Sequence, residues 1–205
     1  MDHESRIPDN EEMTNDKRQE TSEQIAQRLR EIIRLLGLNE ADPELQRTPE
    51  RIARLYAELF CGVSEPPPDI SVTDNPHLSG EMILIRDLPF HSMCIHHFIP
   101  FFGAAHVAYV PREKIAGLSS IARVLRHFAS QPQLQERMTN AIADHIQATL
   151  QPEGVIVHVR ARHLCMEMRG ERVPGWVETT AARWVFQKGP LRDEFFARLK
   201  NGPAV

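Results

Sequence analysis

Residues 154–163 (GVIVHVRARH) alternate between apolar and polar side chains, and this pattern constrains the fold more than any other in the chain. A period of two places the apolar side chains on one face of an extended segment, which predicts a β-strand with one buried face. Three further segments have strand character, namely EMILIRDLPF (81–90), GAAHVAYVP (103–111) and WVETTAARWVF (176–186). The chain is therefore expected to fold around a sheet.

Helical patterns surround these strands. Apolar residues recur at intervals of three and four in 21–37, 48–62, 117–130, 133–151 and 190–200. The predicted order is two helices, two strands, two helices, two strands and a final helix. Consecutive strand pairs favour an antiparallel sheet with helices on one face, so the predicted fold class is α+β.

The composition along the chain suggests four regions. Residues 1–20 are charged and poor in apolar side chains, which predicts a disordered polar tail. The proline-rich polar stretch before residue 81 predicts a loop. The expected regions are thus the tail (1–20), an N-terminal helical region (21–62), a loop (63–80) and the sheet-containing domain (81–205).

The overall composition excludes several classes of protein. The 205 residues are 41% hydrophobic and 25% charged, as in ordinary globular proteins, and the net charge of −4 argues against a general nucleic-acid binder. No apolar run approaches the roughly 20 residues of a membrane span, and the polar N-terminus lacks a signal-peptide core. A cytoplasmic protein without a membrane partner is expected. Its three cysteines then serve as metal ligands, nucleophiles or core residues rather than as a disulfide framework.

Two pairs of cysteine and histidine suggest a metal site. Cys94 and His97 are separated by two residues, and His163 and Cys165 by one residue at the end of a predicted strand. Catalytic zinc sites use three protein ligands, and the economical set is Cys94, His97 and Cys165. His96 and His163 then remain free for proton transfer, and zinc-activated water indicates hydrolysis at an electrophilic carbon. The alternative is a core strand that happens to contain these residues, which a single C-x-x-H pair does not exclude.

Six segments in order give the chain a specific resemblance to the GTP cyclohydrolase I family. They are TPERIARLY, SMCIHHF, AHVAYVP, GLSSIAR, QLQERMT and HLCMEMRG, within residues 48–186. The resemblance implies the tunnelling fold, a four-stranded antiparallel sheet backed by two helices, and makes 81–205 the catalytic domain. It also implies a homodecamer of two pentamers with active sites between subunits, and Zn²⁺ held by Cys94, His97 and Cys165.

The family's reaction is the hydrolysis of the GTP imidazole ring, which releases formate and gives 7,8-dihydroneopterin triphosphate for folate and pterin synthesis. By resemblance, His163 protonates the purine nitrogen that leaves C8, and His96 assists around the ribose. Glu136 anchors the guanine, whose N–H groups a carboxylate can accept, and Gln135 lines the same pocket. The implied triphosphate contacts are Ser119, Arg51, Arg123 and Arg169.

The sequence departs from the family pattern at three places. Ile95 replaces the usual Glu of C-E-H-H, Ser120 replaces a common phosphate-binding Lys, and the stretch 171–184 carries Trp176 and Glu178 at positions that are usually small and polar. Near a triphosphate, Glu178 is expected to repel. The leading hypothesis is a GTP cyclohydrolase I with an altered phosphate pocket. The alternatives are a paralogous zinc hydrolase acting on a related purine nucleotide, and a non-catalytic ligand-binding member of the fold.

Overall fold

The computed structural model describes residues 15–76 and 80–200. The chain divides into two compact units, Met1–Pro66 and Pro67–Val205, with the boundary inside the predicted loop. The first unit holds helices α1 (Asn15–Leu35) and α2 (Thr48–Leu59), followed by a short 3₁₀ turn at Cys61–Val63. Pro49 lies in the first turn of α2, where its missing N–H leaves no helical bond unmade.

Helix α1 begins six residues earlier than the sequence predicted. Residues 15–20, which were assigned to the polar tail, are helical, and residues 1–14 lie outside the described part of the chain. Polar side chains support this extra turn, since Gln19 donates to Glu23 and Gln24 donates to Glu20 across one helical turn. The first apolar residue therefore does not mark the start of this helix, because polar residues before it are also helical.

The second unit is built on a five-stranded sheet. Its long strands are β2 (Ile83–Cys94), β3 (Pro100–Val110), β6 (Gly154–His163) and β7 (Val177–Trp184), and they pair antiparallel in the order β2-β3-β6-β7. The two-residue strand β5 (Pro132–Gln133) adds a short parallel edge beside Met93 and Cys94. The four predicted strands are thus present, but the sheet has five. A separate small ribbon pairs β1 (Val72–Asp74) with β4 (Lys114–Ala116).

Helices cover both faces of the sheet. Helices α3 (Leu118–Ala129) and α4 (Gln135–Leu150) bury the larger core against one face, and the short helix α5 (Leu164–Glu167) follows β6 directly. Helix α6 (Pro190–Lys200) buries Phe195 against the opposite face with Ala108 and Ile156. The fold class is therefore α+β, as predicted, but the expectation of helices on one face was wrong, because α6 covers the other face. None of the helices in 15–76 and 80–200 is long and apolar enough to cross a bilayer.

A β-bulge in β2 determines which way its end faces. Ile83 and Ile85 pack against the larger core before the bulge, and Leu88 and Phe90 pack against it afterwards, so the inward positions change from odd to even numbers. The extra residue sits at Asp87, whose φ of 56° is left-handed and whose N–H donates to Nδ1 of His106 at 3.1 Å. Because side chains alternate along a strand, this one-residue shift turns the remainder of β2 over.

Candidate active site

The turn after β2 holds Cys94 and His97 close together. Cys94 donates its N–H to the carbonyl of Ile99 at 3.0 Å and accepts from the N–H of Phe98 at 2.8 Å, and Phe98 has a φ of 52°. Strand β5 fixes the turn from outside, since the N–H of Ile95 donates to the carbonyl of Gln133 at 3.0 Å. As a result, the Cys94 sulfur lies 3.9 Å from Nδ1 of His97.

Cys165 completes a group of three donor atoms. It lies in helix α5, two residues beyond the end of β6. Its sulfur, the sulfur of Cys94 and an imidazole nitrogen of His97 all lie within 4.8 Å of one another. Among residues 15–76 and 80–200, no other three His, Cys, Asp or Glu side chains form such a group. The predicted ligand set is thus brought together. Burial and the adjacent Cys94 sulfur raise the pKa of the Cys165 thiol.

The donor set fits a metal ion of the zinc type. Two thiols and one imidazole are the ligands that zinc selects, and three protein donors leave a fourth coordination position open. Cys94 is buried, Cys165 is half-buried and His97 is exposed, so the cluster opens to solvent on one side. This geometry is compatible with a catalytic rather than a closed structural site.

His163 lies next to this cluster at the last position of β6. Its ring stacks on Phe101 of β3 with centroids 4.6 Å apart and planes 6° apart. Its Nε2 is 2.7 Å from Oε1 of Gln135, the first residue of α4. Burial lowers the pKa of His163 below its usual value, and the carboxylate of Glu136 opposes this shift.

His96 and Glu136, two further residues of the predicted site, are exposed. His96 has its ring centroid 6.2 Å from that of His97, and Glu136 lies in the first turn of α4. Gln135, which was predicted to line the guanine pocket, is only 2% exposed, and its amide contacts are to protein groups. Both residues thus lie near His163. Glu136 is at the protein surface, and Gln135 is buried in the interior.

The predicted phosphate contacts lie in several places. Ser119 is exposed in the first turn of α3, and Arg123 is exposed one turn later. Arg169 donates to Nε2 of His97 at 2.8 Å, which places a guanidinium beside the metal-ligand cluster. Arg51 is exposed on α2 and belongs to the first compact unit.

Two of the departures from the family pattern have structural explanations that the sequence did not suggest. Ser120 is fully buried, and its Oγ accepts from the N–H of Ser71 at 3.1 Å and from Arg123 at 2.9 Å. Glu178 lies 3.3 Å from Arg160, on the sheet face opposite Gln135 and Thr179. Within this chain, Glu178 therefore lies on the face of the sheet that points away from Gln135, and its charge is balanced by Arg160.

Phe101 is a site residue that the sequence analysis missed. A phenylalanine in an apolar strand predicts core packing, and Phe101 is indeed fully buried. Its contact with His163 depends on the register of β3 and β6, in which the two residues are direct partners. No local sequence pattern predicts which residues of β3 and β6 pair with each other.

The fold and the site define an α+β protein with a Cys₂His metal-ligand cluster and a half-buried histidine, His163, two residues before one of the cysteines. The GTP cyclohydrolase I family model matches residues 25–200, and the chain belongs to this family. It is 45% identical over 179 residues to GTP cyclohydrolase 1 of Bacillus subtilis (strain 168), covering 87% of this chain and 92% of the relative. It is 48% identical over 166 residues to GTP cyclohydrolase 1 of Geobacillus kaustophilus (strain HTA426), covering 80% and 88%. For that of Clostridioides difficile (strain 630) the identity is 46% over 171 residues, with 81% and 89% covered.

We expect Cys165→Ala to abolish stoichiometric metal binding, because two remaining donors cannot close a three-ligand site. Elemental analysis of the purified protein should give about one divalent ion per chain for the wild type and far less for the variant. Cys61→Ala is the matched control, since Cys61 is an exposed free thiol outside the cluster. An unchanged metal content in Cys165→Ala would show that another ligand set holds the ion.

Proposed function

We propose that this protein hydrolyses GTP to 7,8-dihydroneopterin triphosphate and formate. The observation that carries the proposal is the cluster of Cys94, His97 and Cys165 at the end of the sheet where β6 ends at His163, two residues before Cys165. A metal ion that activates water and a positioned proton-transfer group are two components that hydrolysis of a ring C–N bond can use. The name of the relatives, GTP cyclohydrolase 1, supports GTP as the substrate.

Cys94, His97 and Cys165 would hold Zn²⁺ as the resident metal. The bound ion supplies Lewis acidity, which activates water for attack on carbon at neutral pH. The protein's own contribution is to fix the three donors on two different strand ends, so that the site exists only in the folded chain. Cys94 is 7% exposed, so that side of the cluster is closed to bulk water.

His163 would protonate the purine nitrogen that leaves C8. Stacking on Phe101 and the contact with Gln135 hold the ring in one orientation, so that the proton is delivered along a fixed direction. Because burial lowers its pKa, His163 gives up a proton more readily than an exposed histidine. His96, exposed beside His97, would assist the rearrangement of the ribose.

The other site residues would bind the nucleotide. Glu136 would accept hydrogen bonds from the guanine N1–H and 2-amino groups, and Gln135 would support the same pocket. Ser119, Arg51, Arg123 and Arg169 would bind the triphosphate. Arg169 lies beside the metal-ligand cluster through its contact with His97, and Arg123 is held on α3 by Ser120, so each presents a guanidinium from a fixed position.

The protein would adopt the tunnelling fold and assemble as a decamer of two pentamers in the cytoplasm. Two open sheet edges support this assembly, since β7 is the last strand on one side and β5 covers only the end of β2 on the other. Pairing these edges between subunits would close a ring and satisfy the exposed backbone groups. The four long strands would then form each subunit's share of the barrel.

Purified wild-type protein incubated with GTP should produce neopterin, which is detected by its fluorescence after oxidation and dephosphorylation. Glu136→Gln should lower kcat/KM by about 10–100-fold, because a hydrogen bond to a charged group contributes about 1.5–3 kcal/mol. Glu81→Gln, an exposed glutamate outside the site, should leave kcat/KM unchanged. If GTP is not converted while another guanine nucleotide is, the substrate assignment is wrong.

Light scattering at micromolar protein concentration should give a particle far larger than a dimer. The open edge of β2 and the edge of β7 are the surfaces that would be consumed in assembly. A monomer or dimer under these conditions would contradict ring closure and the sharing of active sites between subunits.

A further inference from the structure

Gln135 is buried, and its side chain is oriented by the backbone around it. The Nε2 atom lies 3.2 Å from the carbonyl oxygen of Val159, 3.1 Å from that of Val177 and 3.1 Å from the hydroxyl of Thr179. Backbone carbonyls can only accept, so the NH₂ group of the amide must face them. The opposite orientation would place the amide oxygen against two carbonyl oxygens in a site with only 2% exposure.

This orientation determines what Gln135 offers to His163. The amide oxygen, Oε1, lies 2.7 Å from Nε2 of His163, and an amide oxygen can only accept. Nε2 of His163 must therefore carry a proton in both the neutral and the protonated ring. In the neutral ring, Nδ1 is then the nitrogen with the free electron pair.

We propose that Gln135 is a positioning residue that fixes the tautomer of His163, so that proton transfer to and from the substrate takes place at Nδ1. The inference rests on the proposed function, in which His163 is the proton-transfer group. Phe101 covers one face of the ring, and Gln135 occupies its Nε2 edge. Nδ1 is the other nitrogen of the imidazole. Because Gln135 binds Nε2, the ring is held with Nδ1 pointing in one fixed direction and available to the substrate.

The network beneath Gln135 reinforces this assignment. Thr139 donates its hydroxyl to the backbone carbonyl of Gln135 at 2.7 Å and lies 2.6 Å from the hydroxyl of Thr179. Helix α4 and strands β6 and β7 therefore hold the amide from three elements. This support keeps the amide oxygen at one position relative to the His163 ring.

Gln135→Met tests the proposal, with Gln147→Met on the same helix as the control. Methionine keeps the length of the side chain but removes both the acceptor for His163 and the donors to the carbonyls. Gln147 is half-buried, and its amide donates to the carbonyl of Pro152 at 3.2 Å and does not contact His163. Both variants lose an amide that donates to a backbone carbonyl, but only Gln135→Met removes the acceptor for His163 and should affect the tautomer.

For the metal-loaded protein, Gln135→Met should lower kcat for GTP by about 10–100-fold, which is the usual effect of removing a residue that orients a functional histidine. KM for GTP and the metal content should stay close to those of the wild type. Gln147→Met should keep kcat within the range of the wild type. Equal losses of kcat in the two variants would overturn the proposal, as would a loss in Gln135→Met expressed only in KM.

The tautomer can also be measured directly in the wild type without any substrate. In protein labelled with ¹⁵N-histidine, with His163 assigned by its absence in His163→Gln, neutral His163 should show a protonated Nε2 and an unprotonated Nδ1. A proton on Nδ1 would overturn the proposal even if Gln135→Met fails to fold. Because this spectrum does not depend on turnover, a protein that fails to convert GTP would refute the proposed function while the tautomer result stands.

Discussion

The bulge at Asp87 is the constraint on which the site depends. Without the extra residue, the inward positions of β2 would remain odd-numbered, and the side chain of Cys94 would emerge on the face opposite His163. The bulge requires a left-handed backbone at a non-glycine residue, which is unfavourable on its own. His106 stabilises it from β3 by accepting the Asp87 N–H, so a histidine remote from the metal ligands contributes to their arrangement.

Close packing of the central strands brings the remaining groups to the same end of the sheet. Strand β2 ends at Cys94, β3 begins at Pro100 and β6 ends at His163, so these three strand termini lie at the same end of the sheet. Gly103 of β3 allows this approach, because a Cβ at that position would lie 2.0 Å from the carbonyl oxygen of Arg160 and 2.7 Å from Cα of Ala161. Strand pairing thus brings the turn that carries Cys94 and His97 to the same end of the sheet as His163 and Cys165.

Periodicity and residue chemistry predicted much of this arrangement. The four long strands, the α+β class, the family and the grouping of Cys94, His97 and Cys165 were all accessible from the sequence. The bulge, the two-residue strand β5 and the stacking of Phe101 on His163 were not, since each depends on register between distant segments. For the same reason, the sequence did not show that Glu178 pairs with Arg160 on the sheet face opposite Gln135. Its expected repulsion of a triphosphate stays a prediction. The roles of the substrate contacts stay predictions.

The central claim is that the folded sheet assembles a metal site from two sulfurs and one imidazole nitrogen at its end. X-ray absorption at the zinc edge on the purified wild-type protein tests this most directly, because sulfur and nitrogen ligands scatter at different distances of about 2.3 and 2.0–2.1 Å. The account predicts two sulfur ligands, one imidazole nitrogen and one further light atom. A first shell without sulfur, or with a single sulfur, would contradict it.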